Sequence, residues 1–258
     1  MKESASIVVI GAGIIGSSIA YSLAKRNVKD VVVLEKGKAG SGSTSAALGG
    51  FRYQFSNELS VRMSIESISA IESFQEEMGY DPLVRHDGYV FFASNENSYS
   101  KLKENCRMAN SLGVPVEVLS KEELQSRFPF YSFEGMLGGT LCMKEGHAST
   151  SAVLQGYISK SKQLGVQFFE NTEVTKISKD GGFRISTGSG EISSKKVIIA
   201  AGAYSGLVGE LASVKIPIKP YPRKILVTNS FSDGIPWEIP LMIDVDSTLA
   251  IGREGRGM

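Results

Sequence analysis

The apolar and polar positions of this chain are most ordered near its start. Ile7–Ile10 reads IVVI and meets Gly11-Ala12-Gly13-Ile14-Ile15-Gly16. Apolar positions then take a helical spacing through Ala24, and a second run, Val31–Leu34, closes on Glu35. That order predicts strand, glycine turn, helix, strand: one βαβ unit with the glycine pattern of dinucleotide binding. Gly11 permits the tight turn, Gly13 leaves room for a pyrophosphate to reach the backbone, and Gly16 lets the helix pack close to the strand. The amides of Gly13, Ile14 and Ile15 then face the ligand at a positive helix end. The pattern also requires an acid about 20 residues past the last glycine. Glu35 stands there, placed to accept hydrogen bonds from adenosine ribose hydroxyls; a surface Glu after an ordinary βα turn is the plainer alternative.

Lys36–Tyr53, KGKAGSGSTSAALGGFRY, lacks periodicity and reads as a loop. It leaves the carboxyl end of the second strand, where ligands of open α/β sheets bind. Ser43, Thr44 and Ser45 offer hydroxyl donors to a pyrophosphate, and Ala46, Ala47, Gly49 and Gly50 leave space for a flat ring. A flexible Gly/Ser linker is the other reading.

Farther on, the spacing predicts a helix from Glu58 to about Met78, capped by Asn57 or Ser56 and ended by Gly79. A strand at Gly88–Ala93 precedes a helix at Asn97–Leu112, and Ser120-Lys121-Glu122-Glu123 forms a capping box for a short helix stopping before Pro129. Thr150–Leu164 reads as an amphipathic helix ended by Gly165. Strands follow at Val166–Glu170, Val174–Ser178, Phe183–Thr187 and Lys196–Ala200, and Ile216–Asn229 starts proline-rich and becomes strand-like.

Composition narrows the field. A net charge of +1 gives no electrostatic case for nucleic acid or an anionic membrane. No apolar run approaches the roughly 18 residues of a membrane span, and Gly11 begins a structured motif too early for a signal peptide. Cys106 and Cys142 lack metal or disulfide-framework spacing, so buried free thiols in a reducing cytoplasm are expected.

The run GSGSTSAALGGFRYQF, after GAGIIG and LEKG, resembles the D-amino-acid-oxidase-type flavoproteins, in the branch of sarcosine oxidase β subunits, L-proline dehydrogenase catalytic subunits and glycine oxidases. The resemblance implies an α/β fold: a Rossmann-like FAD-binding domain, residues 1–80 and 146–212, interleaved with an α+β substrate domain on an antiparallel or mixed sheet, residues 81–145 and 213–258. It implies FAD as cofactor, with the loop after the second strand wrapping the pyrophosphate and running under the isoalloxazine. Lys36, Ser43, Thr44, Ser45, Leu48, Gly49 and Gly50 would then join Gly11, Gly13, Ile14, Ile15, Gly16 and Glu35 as cofactor contacts. TEVTKI, Thr172–Ile177, resembles the segment whose valine backbone, here Val174, contacts adenine. Val197–Ser205 resembles the second flavoprotein signature, its Ala200, Ala201 and Gly202 approaching the cofactor, with Tyr204 where many relatives carry Trp.

Arg52 stands where the family commonly holds the substrate carboxylate. A planar guanidinium suits that task, though a surface ion pair would also explain it. Tyr53 reads as an aromatic wall or as packing, Tyr204 as a flavin neighbour or as packing on the sheet. Of the two histidines, His86 reads as a solvated loop residue and His147 as structural; no metal is expected. A single glycine motif and the long loop favour FAD over NAD.

The implied activity is oxidation of the amine of a small amino acid of sarcosine, glycine or proline type, by hydride transfer to flavin. A flavin-carrying subunit passing electrons to a partner subunit or acceptor is the alternative, as is a non-catalytic FAD-binding fragment. Relatives continue past Leu249–Met258 with the rest of the substrate-domain sheet and a return to the FAD domain. The expectation is a fragment, or a chain completed by another polypeptide, that holds the ADP half of FAD better than the isoalloxazine, exposes apolar sheet surface and turns over poorly.

Overall fold

A computed structural model describes residues 2–229, 236 and 238–252. The expectation for the chain end at 253–258 lies outside the described residues. In chain order the elements are β1 (Ser4–Ile10), α1 (Ile14–Lys25), β2 (Val31–Leu34), β3 (Gly50–Phe51), α2 (Glu58–Glu72), α3 (Phe74–Met78) and β4 (Tyr89–Ala93). Next come α4 (Glu96–Ser111), β5 (Glu117–Ser120), α5 (Lys121–Arg127), β6 (Gly138–Cys142), β7 (Gly146–His147), α6 (Thr150–Gln163) and β8 (Gln167–Phe169). The last are β9 (Val174–Lys179), β10 (Phe183–Thr187), β11 (Gly190–Ile199), a 3-10 turn (Gly202–Tyr204), α7 (Ser205–Leu211), β12 (Leu241–Asp244) and β13 (Ala250–Ile251).

The chain divides into two units. One comprises Met1–Leu48, Phe74–Pro82 and Ser149–Arg223; the other comprises Gly49–Ser73, Leu83–Ala148 and Lys224–Met258. The first is built on a six-stranded sheet in the order β8-β2-β1-β11-β10-β9. β8, β2, β1 and β11 run parallel, and β10 and β9 continue antiparallel. Period-two alternation sends Val8 and Ile10 to one face with Val32, Leu34, Ile185 and Ile192. Ile7 and Val9 go to the other with Ala20, Ala24, Val31 and Val33. A strand covered on both faces is apolar throughout, which is why IVVI and VVVL were legible as strands.

The second unit holds a five-stranded mixed sheet, β13-β12-β4-β6-β5, and a two-stranded β3-β7 ribbon. Val90, Phe92, Leu119, Leu124, Phe133, Leu141 and Met242 fill one core; Phe51, Tyr53, Val61, Ile68, Cys106 and Cys142 fill another. Both cysteines are free and buried. Among the described residues no helix is long and apolar enough to cross a membrane.

Several details refine or depart from the sequence expectations. The helix from Glu58 breaks at Ser73, whose hydroxyl bonds back to the Ser69 carbonyl, so Phe74–Met78 is a separate short helix. Asn57 rather than Ser56 caps α2, accepting from the Ser60 amide. Residues 49–73 pack with the second unit, because Val61 and Ile68 of α2 are buried against Cys106 and Ala109 of α4. Residues 216–229 form no strand, and Leu226 and Val227 are exposed. The Lys196–Ala200 strand in turn extends back to Gly190, where it hairpins with β10.

Candidate functional site

In the first unit, the carboxyl ends of three strands lie side by side, with Ile10 opposite both Leu34 and Ile199. The glycine turn, Glu35 and Ala200 therefore emerge together. The Ala200 amide donates to the Ile10 carbonyl at 2.8 Å, joining the second signature to the first. Gly11 has φ +107°, and a Cβ on it would collide with the Ala200 carbonyl. A Cβ on Gly16 would collide with the Gly11 carbonyl oxygen. Gly13 differs: the nearest atom to its missing Cβ is Thr44 Oγ1 at 3.2 Å, with nothing else within 4 Å. Two glycines are closed against backbone, whereas the one at the N-cap of α1 meets only the Thr44 hydroxyl, a side-chain atom at close contact.

The Ile14 amide donates to Thr44 Oγ1 at 3.1 Å, so it does not point freely outward as the sequence suggested. The Thr44 hydroxyl keeps its own proton to donate. Glu35 is half-buried; one carboxylate oxygen accepts from the Ala12 amide and the other from the Gly37 amide, each at 2.9 Å. A carboxylate has about four acceptor positions, so capacity remains on both oxygens. The Glu35 carbonyl accepts from the Thr172 amide at 2.7 Å, bringing the start of β9 alongside. The Val174 side chain is buried in the sheet core.

Lys36 Nζ sits 3.2 Å over the Tyr204 ring, and Tyr204 is exposed. Ser43, Ser45 and Leu48 are exposed, and Ile15 is exposed beside the helix start. Ala201 is partly buried, and Gly202, φ +54°, opens the 3-10 turn with nothing near its missing Cβ.

Gly49 and Gly50 belong to the second unit. Gly49, φ +75°, accepts from the Ala148 amide, and Gly50 pairs with His147 in the β3-β7 ribbon. Two residues on, Arg52 lines a cavity of about 470 Å³ with Phe51, Phe55, Ile68, Ile71, Tyr89, Leu241 and Ile243. Its guanidinium carbon lies 4.6 Å from the Phe55 ring centre and 5.4 Å from that of Phe91. Aromatic faces thus flank the cation, and the wall around it is mostly apolar, with Ser64 and Ser67 as its hydroxyl exceptions. Tyr53 is buried in the core, so it packs rather than lining this cavity, and burial pushes its hydroxyl up to about 12. His86 is exposed, with Nδ1 2.9 Å from the Lys144 carbonyl; His147 belongs to the ribbon, 3.5 Å from Asp87.

Glu145 escaped the sequence reading. Its side chain is fully buried, and it accepts from the amides of Tyr53 at 2.6 Å and Gln54 at 2.7 Å and from Gln54 Nε2 at 2.8 Å. Burial pushes its carboxyl up to about 7, against the opposing pull of those donors and of the Arg52 charge. It stands 91 residues from Gln54, in a turn without local periodicity, so no sequence signal marks it.

A glycine turn, a second small-residue turn and an acid gathered at one end of a parallel sheet define a nucleotide-binding flavoprotein fold. The chain belongs to the FAD dependent oxidoreductase family, DAO, whose model matches residues 6–256, and FAD is its cofactor. It is 25% identical to human mitochondrial dimethylglycine dehydrogenase over 261 residues, all of this chain and 30% of the relative. It is 29% identical to sarcosine oxidase subunit beta of Arthrobacter sp over 246 residues, 91% of this chain and 60% of that one. The chain thus spans less than two thirds of these relatives' length. The crystal structure of L-proline dehydrogenase from P. horikoshii superposes with a TM-score of 0.88 at 29% identity, covering all of this chain and 69% of the other.

Proposed function

We propose that this chain oxidises the amine of a small amino acid of sarcosine, glycine or proline type, with Arg52 receiving the substrate carboxylate. The observation that carries this reading is a single guanidinium set in a mostly apolar, aromatic-flanked cavity. A mostly apolar wall lowers the local dielectric and so strengthens each charge-assisted hydrogen bond to the ligand. The carboxylate takes the fork of Arg52, and the carbon skeleton lies against Ile68, Ile71, Leu241 and Ile243.

The cofactor residues support the same reading. With no side chain at Gly13, a diphosphate can approach the backbone beside the Thr44 hydroxyl, which supplies a donor at the positive end of α1. Glu35, steadied by two backbone amides, keeps acceptor capacity for ribose hydroxyls. The Val174 backbone, Ala200, Ala201, Gly202, Lys36 and Tyr204 complete the cofactor set on this reading, with Ile15, Ser43, Ser45, Leu48, Gly49 and Gly50 along the loop. FAD, when bound, supplies the hydride acceptor that no side chain can provide. Binding the amine in its neutral form removes the need for a strong base, in keeping with an Arg52 cavity that no histidine lines among the described residues.

Relatives named as subunits favour a second reading of the electron acceptor: a partner subunit in place of oxygen. Peroxide release on mixing the substrate-reduced protein with air separates the two. Arg52→Ala tests the main reading: flavin is retained and the amino acid binds at least about tenfold more weakly, the loss of a charged hydrogen bond of about 1.5–3 kcal/mol. Unchanged kinetics on a confirmed amino-acid substrate would remove Arg52 from this role.

A further inference from the structure

A buried carboxylate is costly to keep, and a neutral side chain could fill the same volume. Glu145 is nonetheless aimed at the backbone just after Arg52. One of its oxygens takes two consecutive amides, Tyr53 and Gln54; the other takes the Gln54 side chain. Gln54 is held in turn by Thr140 of β6, whose hydroxyl donates to Gln54 Oε1 at 2.6 Å, while Gln54 Nε2 also reaches the Tyr89 carbonyl at 3.3 Å. The backbone amide of Gly88 donates to the Glu145 carbonyl at 2.9 Å, which fixes the clamp to the start of β4.

Arg52 therefore leaves the ribbon from a main chain pinned on its C-terminal side by a fixed acid. The charged and titratable groups facing that acid are Arg52, Tyr53, Tyr89 and Cys142. Burial drives the two hydroxyls and the thiol up to about 12, so they are neutral near pH 7, and Arg52 is the cation of the set. Alone in the cavity wall, a long Arg side chain would sample many rotamers. A clamp on residues 53 and 54 narrows that range.

We propose that Glu145 is a positioning residue: it aims the Arg52 guanidinium into its cavity by clamping the two backbone amides that follow. This rests on the reading of Arg52 as the carboxylate receptor.

The test is calorimetric titration of the FAD-saturated protein with 2-furoate, an unreactive ring carboxylate of about proline size. A thermal melt accompanies each variant. Arg52→Ala weakens furoate at least about tenfold. Glu145→Ala, with Arg52 untouched, weakens it by about tenfold, since misdirected contacts are costly even when present. Glu145→Gln recovers most of that loss: its amide oxygen keeps both backbone donors while the Gln54 amide turns over. A folded Glu145→Ala protein that binds furoate like the parent, while Arg52→Ala does not, would overturn the proposal and leave the Arg52 reading standing. Undiminished binding in Arg52→Ala overturns both. A role confined to structure would lower the melting temperature without moving the dissociation constant. Should Glu145→Ala fail to fold, Glu145→Asp decides. It keeps the charge but is too short to span both amides, so it must bind furoate more weakly than Glu145→Gln; parity with the parent refutes the clamp.

Discussion

The two units prepare for polar ligands by different physical means. In the first, main-chain groups do the work: glycines that clear space, amides at a helix end, and one acid held by two amides. In the second, side chains do it: a guanidinium among aromatic rings and a buried carboxylate holding the chain beside it. A backbone site is fixed once its strand, turn and helix have formed. A side-chain site requires residues such as Arg52, Phe91, Thr140 and Glu145 to meet across long stretches of sequence, so it depends on the whole unit being packed.

Gly13→Val breaks the first site most severely. Flavin retention is lost while the fold survives, because the missing Cβ meets only Thr44 Oγ1. Gly16→Ala is the contrast: its Cβ collides with a carbonyl, so it lowers the melting temperature through overpacking of about 1–3 kcal/mol or more. Absorbance of the purified proteins and thermal melts distinguish the two. A Gly13→Val protein with stoichiometric flavin would show that the diphosphate lies elsewhere.

Next in size is Arg52→Lys. It restores the charge but not the fork, so substrate affinity recovers only in part relative to Arg52→Ala. Full recovery would show that the cavity reads charge alone.

Glu145 sharpens the comparison through pH. Its folded carboxyl is raised from 4.5 to about 7, so the folded state holds the proton more tightly than the unfolded chain. The stability this contributes is full below about pH 4.5 and is lost as pH rises through about 7. Denaturation midpoints of the parent, relative to Glu145→Gln, should fall across that window, by on the order of 3 kcal/mol in stability. A flat difference would mean that the carboxylate is better solvated than its burial implies.

The smallest effect is at Asp246, near the surface. Hydrogen bonds from Ser98 and then Ser94 and Asn95 hold its carboxyl down to about 2, below its ordinary 3.8. That contribution is present above about pH 3.8 and disappears as pH falls through about 2. Asp246→Asn should differ from the parent at neutral pH and converge with it in strong acid, as followed by circular dichroism.

The first site was legible because its parts are local. Ile7–Glu35 holds strand, turn, helix and acid within one βαβ unit, and each glycine has a steric reason that sequence spacing reveals. The second signature at Ala200 could be matched to it because small residues at a strand end have the same logic. The strands of the second unit were less legible: β6, GGTLC, lacks the aromatic run that marks β4. Arg52 was singled out by its place in the loop, whereas Glu145 and Thr140 gained meaning only once β4, β6 and the ribbon had formed. Residues 216–229 misled for the converse reason: an apolar, β-branched run becomes a strand only when it pairs with a neighbour, and this one pairs with none among the described residues.

The most direct measurement is an anaerobic titration of the flavin absorbance of the FAD-loaded protein with sarcosine, glycine, L-proline and D-proline. The account predicts bleaching by at least one of them, and in Arg52→Ala a shift of that bleaching to at least about tenfold higher amino-acid concentration with the flavin still bound. A stable flavin band in the presence of all four, in protein that holds FAD stoichiometrically, would contradict it.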